Sequence, residues 1–223
     1  MQPKLNLSNY KRKKMLAMKC KMMFLALACV GLSALMSGCG GAGVDAKVNP
    51  KVLENKEEVQ KIHATIMKAM GEQATKAHEV RIHIDNPADK GRTGDAYLYL
   101  TMDMQDPNKP KQLIRQMFHG ELGYWMAQEE VTVQVRGGNA ENFRLEDELF
   151  DFTKIDAEKL YNIIQTAYNK DNDNAGKYTY RYVEYVTIDI TGIRIEVTGK
   201  LEANDQIISE YVRFDLDGNM KKN

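Results

Sequence analysis

The chain predicts an α+β fold: antiparallel sheet packed by two helices, arranged as two helix-strand-strand-strand units. Three observations carry this. Most segments beyond residue 77 alternate apolar and polar residues with period two, the mark of strands with one buried and one wet face. Only two stretches hold a helical stripe. The strands are separated by turns rich in Gly, Asn, Asp and Pro.

Residues 40–50 are rich in glycine and small residues and read as a flexible tether. Asn55, with Glu58 three residues on, resembles a capping pair, and Val59, Ile62, Ile66, Ala69 and Met70 form the stripe of a first helix. That helix weakens at Gly71 and ends before His78. Val80, Ile82 and Ile84 alternate with Arg81 and His83. After the Asn86-Pro87 and Gly91–Gly94 loop, Leu98, Leu100, Met102 and Met104 alternate with Tyr97, Tyr99, Thr101 and Asp103. A turn at Asp106–Pro110 leads to a strand from Leu113 to Phe118, closed by His119-Gly120. Tyr124 to Val135 supplies one or two further strands, with Val131, Val133 and Val135 on one face. Gly137-Gly138-Asn139 breaks the pattern, and a charged loop runs to about Phe152.

Asp156 can cap the second helix, whose stripe is Leu160, Ile163, Ile164, Ala167 and Tyr168. Asp171–Gly176 ends it. Three strands follow: Tyr178 to Ile190, then Ile193 to Leu201 after a tight turn at Thr191-Gly192, then a last strand with Ile208, Val212 and Phe214 inward. The order thus occurs twice, over residues 53–150 and 151–223. The hairpin Tyr97–Met104 with Gln112–Gly120 reads like Ile193–Lys200 with Gln206–Gly218. Low identity leaves duplication and ordinary hairpin chemistry both open.

The closing Tyr211-Val-Arg-Phe-Asp-Leu-Asp-Gly-Asn-Met220 resembles the end of PepSY-type domains, small secreted helix-plus-meander modules. The tandem form is similar to β-lactamase-inhibitor-like proteins. The resemblance covers the last 60 or so residues, with a fainter copy in the first half. It implies inhibitors or envelope binding modules. Glu121 to Phe152 has no counterpart in the second half and departs from that pattern.

The leader gives the most specific signal. Lys4, Lys11, Arg12, Lys13, Lys14, Lys19 and Lys21 precede an apolar run from Met22 to Met36, which is too short for a comfortable membrane span. Leu35-Met36-Ser37-Gly38-Cys39 follows and resembles a bacterial lipobox, with Met36 where that pattern usually has Leu. The resemblance implies a signal peptide over residues 1–38, cleavage between Gly38 and Cys39, and an acylated Cys39 followed by a tether to residue 52. Translation starting at Met15 or Met18 would leave the same signal. Gly40 after the cysteine favours the outer membrane in a Gram-negative cell; in a Gram-positive cell the protein would sit outside its single membrane.

Without residues 1–38 the chain holds 24 basic and 31 acidic residues, a net charge of −7, and Cys39 alone among cysteines. An internal disulfide is then impossible, and core burial must hold the fold. The acidic balance argues against a nucleic-acid partner and leaves membrane attachment to the acyl chains.

No cofactor or metal is expected. His63, His78, His83 and His119 are scattered without ligand spacing. Asp171–Gly176 begins like a calcium loop but has Ala175 at the fifth position and Tyr182 at the twelfth. Asp215, Asp217 and Asn219 are ordinary turn residues. There is no Gly-x-Ser-x-Gly, the domain's one serine is Ser209, and Glu146-Asp147-Glu148 reads as a solvated face. No phosphate loop is present, and no catalytic residue is assigned.

The aromatics remain. Tyr97, Tyr99, Tyr124, Trp125, Tyr180 and Tyr182 are candidates for a partner-binding surface, because Tyr and Trp give large contact area at low entropic cost. Cross-strand pairing inside the sheet is the commoner use of each one taken alone. The expectation is an envelope lipoprotein with a non-catalytic binding or inhibitory domain and a protein partner. The alternative is a carrier of a hydrophobic ligand, with Met67, Met70, Met102, Met104 and Met117 as an adaptable lining or as core.

Overall fold

Period-two alternation builds one antiparallel sheet from both halves of the chain. The computed structural model describes residues 43–133, 140–170 and 176–222. The strands are β1 (Lys47–Val48), β2 (Ala77–Asp85), β3 (Ala96–Gln105), β4 (Leu113–His119), β5 (Tyr124–Trp125), β6 (Glu129–Val131), β7 (Tyr178–Asp189), β8 (Gly192–Leu201) and β9 (Ile207–Phe214). The helices are α1 (Lys56–Met70) and α2 (Ala157–Asn169). Spatial order is β5-β4-β3-β2-β7-β8-β9, with β1 beside β3 and β6 beside β4. The first and second halves meet at the β2–β7 ladder, where Ile82 opposes Val186.

Both helices start where their caps require. Asn55 Oδ1 accepts from the amides of Glu57 and Glu58, and Asp156 Oδ1 accepts from Lys159 N at 2.7 Å. Each cap contributes about 1 kcal/mol. α1 stops at Gly71, whose positive φ of 55° takes the chain out of the helix into a 3-10 turn over Gly71–Lys76.

One apolar core joins the two helices to one face of the sheet. Val59, Ile62 and Ile66 of α1 and Leu160, Ile164 and Ala167 of α2 meet Val80, Ile82, Leu98, Leu100, Val186 and Ile195. Full burial of each large aliphatic side chain is worth about 1.5–3 kcal/mol. With no internal disulfide expected, this burial does the stabilising. Lys56 Nζ bonds Glu158 at 2.8 Å and links the helices at the surface.

Residues 124–131 form two short strands, not one long one. β5 and β6 both lie on the outer edge of β4, where Trp125 opposes Phe118 and Val131 opposes Leu113. Val133 lies beyond β6, and Val135 lies outside the described residues with Gly137-Gly138-Asn139. The charged stretch up to Phe152 is more than a loop. Ala77 and Phe150 exchange backbone hydrogen bonds of 3.0 and 2.8 Å, and Leu145, Phe150 and Phe152 are buried. His63 Nε2 lies 2.7 Å from the Ile155 carbonyl oxygen and its ring stacks on Phe152, fixing this segment to α1.

The β7–β8 hairpin needs glycine at its turn. Gly192 has φ 133°, and a Cβ there would sit 2.1 Å from the Phe214 carbonyl oxygen. β7 also carries a bulge. Val183 opposes Val197 and Tyr185 opposes Glu196, so Glu184 is the extra residue. The bulge lets Val183 and Val186 both face the core although they are three residues apart. It also puts Tyr182 and Tyr185 on the same face of the sheet.

Candidate functional site

The site is the sheet face that carries no helix. Its residues are the polar half of each strand's alternation, brought into register by the ladder. Tyr124 opposes His119, Tyr99 opposes His83, His83 opposes Tyr185, Tyr185 opposes Glu196, and Glu196 opposes Tyr211. His119 and Tyr99 join the two pieces through edge-to-face rings 5.0 Å apart. One row therefore crosses the sheet from β5 to β9. At about 4.8 Å per strand it is roughly 29 Å long.

The row is held by ring contacts. His83 stacks on Tyr99 at 5.6 Å and on Tyr185 at 4.0 Å, the latter only 4° from parallel. Tyr211 donates its hydroxyl to Glu196 Oε1 at 3.0 Å. Packing under these rings desolvates His83, whose pKa falls to about 4. The ring is therefore neutral at pH 7. Burial likewise raises the Tyr99 and Tyr185 phenols, while the bond to Glu196 raises Tyr211. The row therefore presents aromatic surface around a neutral His83, with the Glu196 carboxylate near one end, and it is open at its ends: Tyr124 is 53% and Tyr211 50% exposed.

A second row runs alongside. Arg81 opposes Thr187, Thr187 opposes Arg194, and Arg194 opposes Arg213. Between the rows lies a shallow basin of about 390 Å³ lined by Tyr185, Tyr211, Thr187 and these arginines together with the carboxylates of Glu79 and Glu196. At the other side of the face, Tyr97 and Tyr99 line a basin of about 290 Å³ with Arg92, Asp85 and Glu121.

The six aromatics singled out from the sequence divide. Tyr99 and Tyr124 belong to the row, and Tyr97 borders it. Trp125 does not: it faces the opposite way, tilted against the buried Phe118 at 5.4 Å. Tyr182 is a correction, being only 1% exposed. Asp89, in the 3-10 turn Pro87–Lys90, reaches across and accepts from the hydroxyls of both Tyr180, at 2.5 Å, and Tyr182. Burial and then the Asp89 bond raise both phenols. These two tyrosines latch a loop.

His83, His119, Tyr185, Glu196 and Tyr211 were not among the partner-binding candidates taken from the sequence. Alternation marks His83 as outward, but only the pairing of β2 with β7 puts it against Tyr185. The methionines do not line one space. Met70, Met102 and Met104 belong to the core with Met67 packed against it, whereas Met117 opposes Thr101 on the helix-free face.

Among the described residues no group of three or more His, Cys, Asp or Glu side chains is placed to hold a metal ion. Among them also, no helix is long and apolar enough to cross a membrane. Gly38, Cys39 and the Asp171–Ala175 stretch lie outside the described residues. Compared with family models, curated proteins and solved structures, the chain has no significant match.

Proposed function

We propose that this chain is a bacterial envelope lipoprotein, anchored through Cys39, whose domain is a non-catalytic binding or inhibitory module. The partner is an envelope protein, and it docks on the helix-free sheet face. The observation that carries the reading is the row Tyr124–His119–Tyr99–His83–Tyr185–Glu196–Tyr211. It offers preformed aromatic area of the kind that dominates protein interfaces, with the Glu196 carboxylate set between Tyr185 and Tyr211. Its length exceeds what a small ligand requires. The ring stacks fix the side chains beforehand, which lowers the ordering cost of binding.

The domain also reads as two related units. α1-β2-β3-β4 and α2-β7-β8-β9 follow the same order, and the halves join through the antiparallel β2–β7 pair. That arrangement supports a duplicated PepSY-like module, with residues 121–152 as an addition to the first copy. Carriage of an apolar ligand has less support, because Met70, Met102 and Met104 are packed into the core.

Site-specific photocrosslinking in the native host tests the docking face. A photoreactive residue at Tyr124 or Tyr211 should yield the same discrete protein adduct. The same probe at Lys68, exposed on α1, should not. Equal adducts from both faces, or none from the sheet, would overturn the reading.

A further inference from the structure

The arginine row is unusual for so acidic a domain. Arg194 and Arg213 stand directly opposite each other on β8 and β9, and both are exposed. Like charges directly opposite on a sheet face are destabilising. Arg81 has its own partner in Glu79. Glu196 is engaged by the Tyr211 hydroxyl. Among the described residues, no carboxylate lies within ion-pair distance of Arg194 or Arg213.

We propose that Arg194 and Arg213 receive a carboxylate from an acidic segment of the partner protein, inside the basin walled by Tyr185 and Tyr211. This rests on the docking face proposed above and names the chemistry of what docks there. Two guanidinium groups on neighbouring strands, both lining the basin, offer donors suited to carboxylate oxygens. The aromatic walls supply apolar contact to the neighbouring residues of the segment, and Thr187 at the floor adds a hydroxyl. The basin is shallow and opens onto the long aromatic row. That geometry suits a side chain carried on an extended surface better than a free small anion. The charge is complementary as well: Glu79 and Glu196 also line the basin but are engaged by Arg81 and Tyr211, so an arriving carboxylate relieves the repulsion between Arg194 and Arg213.

The test uses the full chain in neutral detergent and a fluorescein-labelled oligoglutamate peptide, followed by anisotropy. The wild-type chain should bind the peptide with affinity that falls as salt rises, and should bind oligolysine far less. Arg194→Glu should weaken oligoglutamate binding about tenfold or more. The same substitution puts opposite charges face to face with Arg213, so its thermal midpoint should be equal or higher, which separates lost binding from lost folding. Arg92→Glu, in the other basin, should leave binding unchanged. Undiminished binding by Arg194→Glu overturns the proposal. So does anion binding seen only with inorganic phosphate or with vesicles of anionic phospholipid. Self-association through this face, lost in Arg194→Glu, would also overturn it. The crosslinks at Tyr211 then distinguish the two levels. An adduct that persists in Arg194→Glu leaves the docking face standing and removes the acidic segment. Absence of the adduct in the wild-type chain removes the docking face itself.

Discussion

The imidazole of His83 lies flat against the ring of Tyr185, 4.0 Å away and 4° from parallel, although the two residues come from opposite halves of the chain. This stack sits where the halves join, at the centre of the aromatic row. It couples the integrity of the candidate surface to the β2–β7 ladder. It also makes the surface sensitive to acid, because the ring is held neutral by burial.

That coupling gives a pH prediction. The His83 pKa in the fold, about 4, lies below its ordinary value of 6.5, so the unfolded chain takes up the proton first. Stability contributed through this ring should be constant above pH 6.5, fall as pH drops toward 4, and level off below. Glu54 and Glu184, whose pKa values burial raises, act in the opposite sense. The difference between wild type and His83→Gln isolates the imidazole. Urea midpoints of the two should converge between pH 6.5 and 4, and parallel curves would contradict this account.

The Asp89 latch predicts a loss of stability. Asp89→Ala strands the phenol of buried Tyr182 without its acceptor and also releases Tyr180. The expected cost is about 1–3 kcal/mol. Tyr182→Phe should cost less, since no polar atom is left buried in its place. Chemical denaturation gives both values, and limited proteolysis should find residues 87–94 more readily cut in Asp89→Ala.

Arg115 and Asp103 form a two-pronged ion pair across β3 and β4, at 2.7 and 2.8 Å. The Asp103 side chain is only 6% exposed. Arg115→Ala leaves that carboxylate buried without its cation and should cost about 3 kcal/mol. The double variant Asp103→Asn, Arg115→Met should cost less than Arg115→Ala alone. A double-mutant cycle of urea midpoints measures the coupling.

The proposed membrane attachment through Cys39 predicts a clean biochemical result. Cys39→Ser should abolish incorporation of labelled palmitate and leave the unprocessed precursor. Retention of the label would remove the lipoprotein reading. The folded domain should keep its unfolding midpoint in either form, because Cys39 precedes the segment that joins the sheet at Lys47–Val48 and packs Val44, Ala46 and Val48 against the core. Residues 44–52, read from the sequence as part of the tether, are therefore part of the folded domain.

Much of the fold was legible from residue order because its rules are local. A cap at Asn55 or Asp156 acts on amides two or three residues away, and a helical stripe such as Val59, Ile62 and Ile66 is fixed by 3.6 residues per turn. The faces of β2, β3 and β8 followed from period two for the same reason. The basic leader and the lipobox-like Leu35–Cys39 are likewise patterns in contiguous residues.

The surface was decided elsewhere. Which strand lies beside β2 depends on the free energy of pairing distant segments, so no local pattern places His83 against Tyr185. The bulge at Glu184 arises from the competition between β7's register with β8 and burial of both Val183 and Val186. Strict alternation over Tyr178, Tyr180 and Tyr182 would instead put Tyr185 on the opposite face. Tyr182 was lost to the surface by a hydrogen bond to Asp89, 93 residues away. The sequence by itself determined the two helices with their caps, the long strands and the wet side of most strands, since those follow from backbone geometry over a few residues. The short strand Lys47–Val48 and the turns before Phe152 were not among them. Only the tertiary structure decided which wet residues stand together, because that is settled by strand order and by a single residue of slippage.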